Sequence, residues 1–137
     1  MKVSSKAEYG ILAMVDLALH SQTGPVKIRD IAERQSIPKK YLEQVLLDLK
    51  RGGLVGSSRG KNGGYTLSGN PDEITVYDIL EHLEEQISFV EQGRDRPGFL
   101  QSFWDEQNDK LKDQLSVPLS EIVRRKEESE EEVMYHI

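Results

Sequence analysis

The chain is 137 residues long, enough for one domain with a modest core or a small domain with an appendage. It has no cysteine, which removes disulfides, thiolate catalysis and thiolate-held zinc or iron–sulfur clusters, and its three histidines (His20, His82, His136) lack metal-ligand spacing. The net charge of −6 hides a division: residues 1–65 carry 11 Lys and Arg against 6 Asp and Glu, residues 66–137 carry 7 against 18. The best apolar run, Ile11–Leu19, is broken by Asp16 and falls short of the roughly 20 residues that cross a bilayer. Ser4, Ser5 and Glu8 stand where a signal peptide would be apolar, so a cytoplasmic protein with no membrane segment is expected.

Ser5-Lys6-Ala7-Glu8 fits a capping box and opens a first helix, whose expected core stripe is Ala7, Ile11, Leu12, Val15, Ala18 and Leu19. Gly24-Pro25 stops it. A short second helix spans Arg29 to Gln35, with Ile28, Ile31 and Ala32 apolar. Ser36-Ile37-Pro38 makes a tight turn, and Pro38 suits the first position of a third helix. That helix runs to about Arg51, with Leu42, Val45, Leu46 and Leu49 on one face, and Gly52-Gly53 ends it. Leu54-Val55 and Tyr65-Thr66-Leu67 flank a glycine-rich basic stretch and predict a β-hairpin. Thr75-Val76-Tyr77-Asp78 is a second capping box, starting a helix that buries Ile79, Leu80 and Leu83.

After a polar stretch, Gln86 to Pro97, a long helix is expected at Gly98–Leu115 with the stripe Leu100, Phe103, Trp104, Leu111 and Leu115. A short last helix holds Leu119, Ile122 and Val123. The charged run Arg124 to Glu132 either extends that helix or lies loose. The chain therefore divides at residue 85 into a compact front domain (1–85) and a rear of linker, long helix and acidic tail (86–137).

Helix, short helix, tight turn, helix, hairpin is the order of a winged helix-turn-helix, giving a mainly α fold with a small β-hairpin wing and a long C-terminal helix. In such a fold the third helix packs with one face and offers the other to the DNA major groove. Here the outer face carries Lys40, Gln44, Leu47 and Arg51 with Glu43 on its flank, and Lys39, Lys40 and Tyr41 form the first turn. The hairpin tip adds Arg59, Gly60, Lys61 and Asn62, which join two cations to glycines that let backbone N–H groups approach a phosphate or a narrow groove. A Walker phosphate loop does not fit: Gly56 to Gly60 is one residue short, and Asn62 follows Lys61. With no nucleophile–base pair, metal cluster or phosphate loop, an enzyme is not expected. A winged-helix module that binds protein instead of DNA is the alternative reading.

Lys6-Ala7-Glu8-Tyr9-Gly10, Ile28 through Ile37, Tyr41-Leu42-Glu43-Gln44, Gly53-Leu54-Val55 and Arg59-Gly60-x-x-Gly63-Gly64-Tyr65-x-Leu67 resemble the bacterial Rrf2 family of winged-helix transcription regulators. The resemblance covers essentially the whole chain and is strongest over residues 1–85. It implies a homodimer on a palindromic operator in double-stranded DNA. Tyr41, Glu43 and Gln44 would lie at base edges or nearby backbone, Arg59 in the minor groove, and Lys6 and Tyr9 on phosphates. Lys39 and Lys40 replace small polar residues of some relatives, so a target sequence does not transfer.

Cluster-binding members place three cysteines in the segment matching Gln86 to Pro97, where this chain has none. The resemblance is thus to the cluster-free branch, which includes a repressor of cysteine metabolism, and no cofactor is expected. The long-helix stripe exceeds what an 85-residue domain needs for its own core and is the expected dimerisation surface. The chain ends in an apolar tip, with Tyr135 and Ile137 after an acidic run. A terminal carboxylate and a terminal Ile suit a backbone nest and an apolar slot, and the branch resemblance suggests O-acetylserine sulfhydrylase as the receiver. Packing of the tip against the dimer is the alternative.

Overall fold

The computed structural model describes residues 1–135. Its elements are α1 (Ser5–His20), a 3₁₀ turn (Ser21–Thr23), α2 (Ile28–Gln35), α3 (Lys39–Arg51), β1 (Val55–Ser58), β2 (Gly64–Leu67), α4 (Val76–Leu83), α5 (Gly98–Leu115) and α6 (Leu119–Tyr135). The mainly helical architecture with one antiparallel hairpin is the expected one.

α1 starts one residue from the expected box. Ser4, not Ser5, is the cap: its Oγ accepts from the Ala7 amide at 3.1 Å. The carboxylate that satisfies the cap's own amide comes from Glu84, just beyond α4, instead of Glu8; Glu84 Oε1 accepts from Ser4 N at 2.8 Å and Ser4 Oγ at 2.7 Å. The buried face of α1 also differs. Ala7, Val15 and Ala18 are buried as expected, but so are Gly10, Ala13, Met14 and Leu17, whereas Leu12 is exposed and Ile11 and Leu19 only pack at the margin. The reason is that α1 is central, touched by α2, α3, α4 and α6, so it buries more than one face, with small residues where neighbours come closest. At Gly10 an added Cβ would stand 2.0 Å from Leu83 Cδ1.

Asp16, fully buried on α1, is the structural tie to α2. It accepts from Arg34 Nε and a terminal guanidinium nitrogen, each at 2.9 Å, and from Gln35 Nε2 at 3.0 Å. Burial pushes its carboxyl up, but the bonds from Arg34 and Gln35 and the Arg34 charge outweigh that and hold it below the ordinary value. Ser36 ends α2 with φ +54°, a left-handed residue that reverses the chain, and the Ile37 amide returns to Ala32 O at 3.0 Å. Pro38 then stands as the cap of α3 and not at its first helical position as expected, which Lys39 takes. Leu42, Val45, Leu46 and Leu49 are all buried, as their spacing predicts.

In the hairpin Val55 faces Leu67 and Ser58 faces Gly64. A third partner joins the hairpin without any local signal: Val26 and Tyr65 exchange both backbone bonds at 2.8 Å, stitching the wing to the α1–α2 connection. The Thr75–Asp78 capping box is present with both bonds. α5 has the expected bounds, but none of its residues is buried, and α4 is the helix it chiefly meets. The charged run prolongs the last helix, so α6 is one helix of 17 residues and not a short one. Arg124 pairs with both Glu121 and Glu128, and hydrogen bonds from Arg124 and then Arg125 hold the Glu121 carboxyl down to about 2. At its start, Leu119 is fully buried in the core of the front domain, and its amide donates to Ile74 O at 2.7 Å. The core of residues 1–85 is thus closed by a residue from the rear of the chain.

Candidate nucleic-acid interface

Burying one face of α3 leaves Lys39, Lys40, Tyr41, Glu43, Gln44 and Leu47 exposed on the other. Pro38 offers no capping side chain, so the first amides of α3 stay open to an outside acceptor at the positive end of the helix. Tyr41 meets Tyr9 of α1 edge to face, with ring centroids 5.2 Å apart at 78°, which puts Tyr9 on the same surface as the first turn of α3. Beside this pair lies a largely apolar hollow of about 600 Å³ lined by Lys6, Pro38, Lys40, Tyr41 and Gln44.

The wing projects next to that surface. Arg59, Gly60, Lys61 and Asn62 are all exposed at its tip, where Gly60 adopts φ +101° and accepts from the Gly63 amide at 3.1 Å. Gly63 is buried under the turn, and a Cβ there would stand 2.3 Å from Ser58 O. Lys27 reaches across from the start of α2 and donates to Lys61 O at 2.7 Å, bracing the tip. Lys27, Arg29, Lys39 and Lys61 line one cleft of about 380 Å³ together with Ile28.

Lys27 and Arg29 were not among the residues expected from sequence. The available signal was their position: two cations sit at the positive end of the α2 dipole, an unfavourable placement that an anion bound from outside reverses.

Lys39, Lys40, Arg59 and Lys61 take part in no ion pair among the described residues, and so remain open to phosphate. Lys6 differs. Its ammonium is paired with Asp48 of α3, so a phosphate must compete for it. Asp48 also takes a hydrogen bond from Gln44 Nε2 at 3.1 Å and an ion pair from Arg51 at 3.8 Å. Sequence reading missed Asp48, because nothing local says that α1 crosses α3 at this point.

Of the five expected dimer residues, Leu100 and Phe103 are exposed, and Trp104 and Leu111 are half-buried. Phe103 and Phe89 lie against Trp104, with centroids 5.1 and 6.3 Å from it. Leu115 is the exception: it packs on the chain's own core, because the turn into Leu119 brings this end of α5 back to the front domain. The segment expected to be a plain linker is tied down, with Asn108 of α5 accepting from the Phe89 amide at 3.0 Å and donating to Ser88 Oγ at 2.9 Å. The side chain of Tyr135 and the whole of Ile137 lie outside the described residues. No described helix is long and apolar enough to cross a membrane.

A family model described as an iron-dependent transcriptional regulator, Rrf2, matches residues 3–125. The chain is 40% identical to the HTH-type transcriptional regulator IscR of Pectobacterium atrosepticum over 135 residues, covering 93% of this chain and 82% of that protein. It is 36% identical to the HTH-type transcriptional regulator CymR of Bacillus subtilis over the full length of both. Among solved structures, CymR of B. subtilis, described as its global cysteine regulator, superposes with a TM-score of 0.78 at 36% identity, covering 91% of this chain and 98% of that one. IscR of T. potens superposes at 0.76 with 37% identity, covering 94% and 90%.

Iron dependence, as the family description has it, does not fit the donors in this chain. The stretch from Gln86 to Pro97 supplies amides, a hydroxyl and scattered carboxylates in place of thiolates. Among the described residues no three His, Cys, Asp or Glu stand together as a metal site.

Proposed function

The chain belongs to the Rrf2 family of transcription regulators, and from that premise we propose that it binds a palindromic operator as a homodimer, without an iron–sulfur cluster, and represses genes of sulfur and cysteine metabolism. The observation that carries the DNA-binding part is the convergence of the wing tip, the first turn of α3 and the start of α2 on one cationic cleft, in which Lys39 and Lys61 take part in no ion pair among the described residues. In this reading α3 lies in the major groove with Tyr41, Glu43 and Gln44 at the bases. The wing carries Arg59, Gly60, Lys61 and Asn62 to the minor groove. Lys6, Tyr9, Lys39 and Lys40 hold the backbone, joined by Lys27 and Arg29.

Arg59→Ala is the test. The residue sits on an exposed turn with no core to lose, so the variant keeps its thermal stability. Its affinity for a sequence selected by the wild type falls about ten- to a hundredfold, the worth of one good groove contact. Affinity within twofold of wild type would overturn the role.

The dimer reading rests on α5, where Leu100 and Phe103 stay exposed and Trp104 and Leu111 are only half-buried within one chain, so these four are its contact residues and Leu115 anchors the helix base. The partner reading rests on the terminal Ile137, with Tyr135 beside it, docking into the substrate site of an O-acetylserine sulfhydrylase. Removing Ile137 alone should abolish capture of the purified enzyme and leave DNA binding intact; capture by the truncated chain would end this reading.

A further inference from the structure

We propose that Asp48 is a positioning residue for base recognition: it fixes which end of the Gln44 carboxamide faces the DNA. This rests on the reading of α3 as the groove helix. Asp48 lies one turn beyond Gln44, and its side chain is only 14% exposed because Lys6 of α1 covers it. An ionised carboxylate can only accept hydrogen bonds, so Gln44 must turn its NH₂ group toward Asp48, as the 3.1 Å contact records. The carboxamide oxygen is thereby left free of Asp48, on a residue that lines the hollow shared with Tyr41 and Lys40.

A free acceptor with one remaining N–H beside it matches the major-groove edge of adenine, which offers an amino donor at N6 and an acceptor at N7. The Lys6 ammonium balances the Asp48 charge, so the carboxylate can sit under the groove face without repelling phosphates. Holding a flexible glutamine in one rotamer also lowers the ordering cost of binding.

Asp48→Asn keeps the shape and removes the constraint. An amide at position 48 can donate as well as accept, so Gln44 can face DNA with either end. The donor end suits the O6 and N7 acceptors of guanine.

The experiment is selection from a randomised double-stranded DNA pool by the full-length wild type, Gln44→Ala, Asp48→Asn and Asp48→Glu, with thermal unfolding of each. Gln44→Ala identifies the operator position that Gln44 reads. At that position Asp48→Asn should lower the adenine-over-guanine ratio about fivefold or more, leave other positions unchanged and keep the wild-type melting temperature. Asp48→Glu, still acceptor-only, should retain the adenine preference. A merely structural Asp48 would instead shift stability, or affinity at all positions alike.

Wild-type base preference in Asp48→Asn, at the position Gln44→Ala has identified, overturns the proposal. If Gln44→Ala changes no position, α3 does not read bases through Gln44, and the proposal falls with that reading. Should Asp48→Asn fold poorly, Lys6→Met gives the second arm: affinity drops while the adenine preference persists, because the Asp48–Gln44 bond survives. Loss of the preference in Lys6→Met would refute the assignment of this role to Asp48.

Discussion

Replacing Leu100 and Phe103 together by glutamate should convert the protein to a monomer while leaving its front domain folded. Leu111 and Leu115 are poorer choices, because Leu115 packs on the chain's own core and its loss would unsettle the fold. Leu100 and Phe103 are 37% and 44% exposed in the single chain, so covering them removes somewhat under half of each side chain's surface from water. At about 25 cal/mol per Å² this is worth roughly 1 kcal/mol per residue, or about 4 kcal/mol over the four copies in a symmetric dimer. That already corresponds to about a thousandfold in the dimer constant, and four carboxylates moved against apolar surface add to it. Sedimentation equilibrium across a concentration series measures the constant, and operator titration follows the coupled loss of DNA affinity. A double variant that still sediments as a dimer at micromolar concentration would refute α5 as the interface.

Asp16→Asn should destabilise the chain by about 2–3 kcal/mol, less than a fully buried pair, because the Arg34 side chain is 37% exposed and can rehydrate. Since the folded Asp16 carboxyl lies below its ordinary 3.8, its stabilisation is complete above that pH and fades as pH falls through the folded value. Wild type and variant should therefore converge in acid melts, and a gap that widens there would contradict the account. Leu119→Ala, emptying a fully buried site, should cost about 2–5 kcal/mol and lower the melting temperature of the whole front domain in one transition. An unchanged melt would show that α6 is dispensable to the core.

What could be read in the sequence was what local chemistry decides. The stripe of α3, the Thr75–Asp78 box, the wing and the bounds of α5 all follow from spacing within a dozen residues. What escaped depends on partners far along the chain. The α1 cap is completed by Glu84, 80 residues away, so Ser5 and Glu8 mimicked a box that the fold does not use. The α1 stripe was only half right: Ala7, Val15 and Ala18 are buried, but a helix surrounded on several sides buries more than one face, so Gly10, Ala13, Met14 and Leu17 were missed and Leu12 was wrongly included. At the candidate interface, the exposed residues of α3 and the wing were legible, whereas Asp48, Lys27 and Arg29 matter through what crosses them in space.

The wing's stitching to the α1–α2 connection has a consequence for how this protein can change over generations. A ribbon of two four-residue strands is marginal alone, and here Val26 supplies the third rung by pairing with Tyr65. Gly64 is pressed so close to that rung that a Cβ would stand 2.5 Å from Val26 O. Lys27, the next residue, holds the tip. Substitutions at 24–27 and at 58–65 will therefore not act independently, and their effects on DNA affinity will fail to add. A lineage that alters its wing to suit a new operator must pass through changes in a connection more than thirty residues earlier, whose Val26 serves the wing through backbone pairing alone.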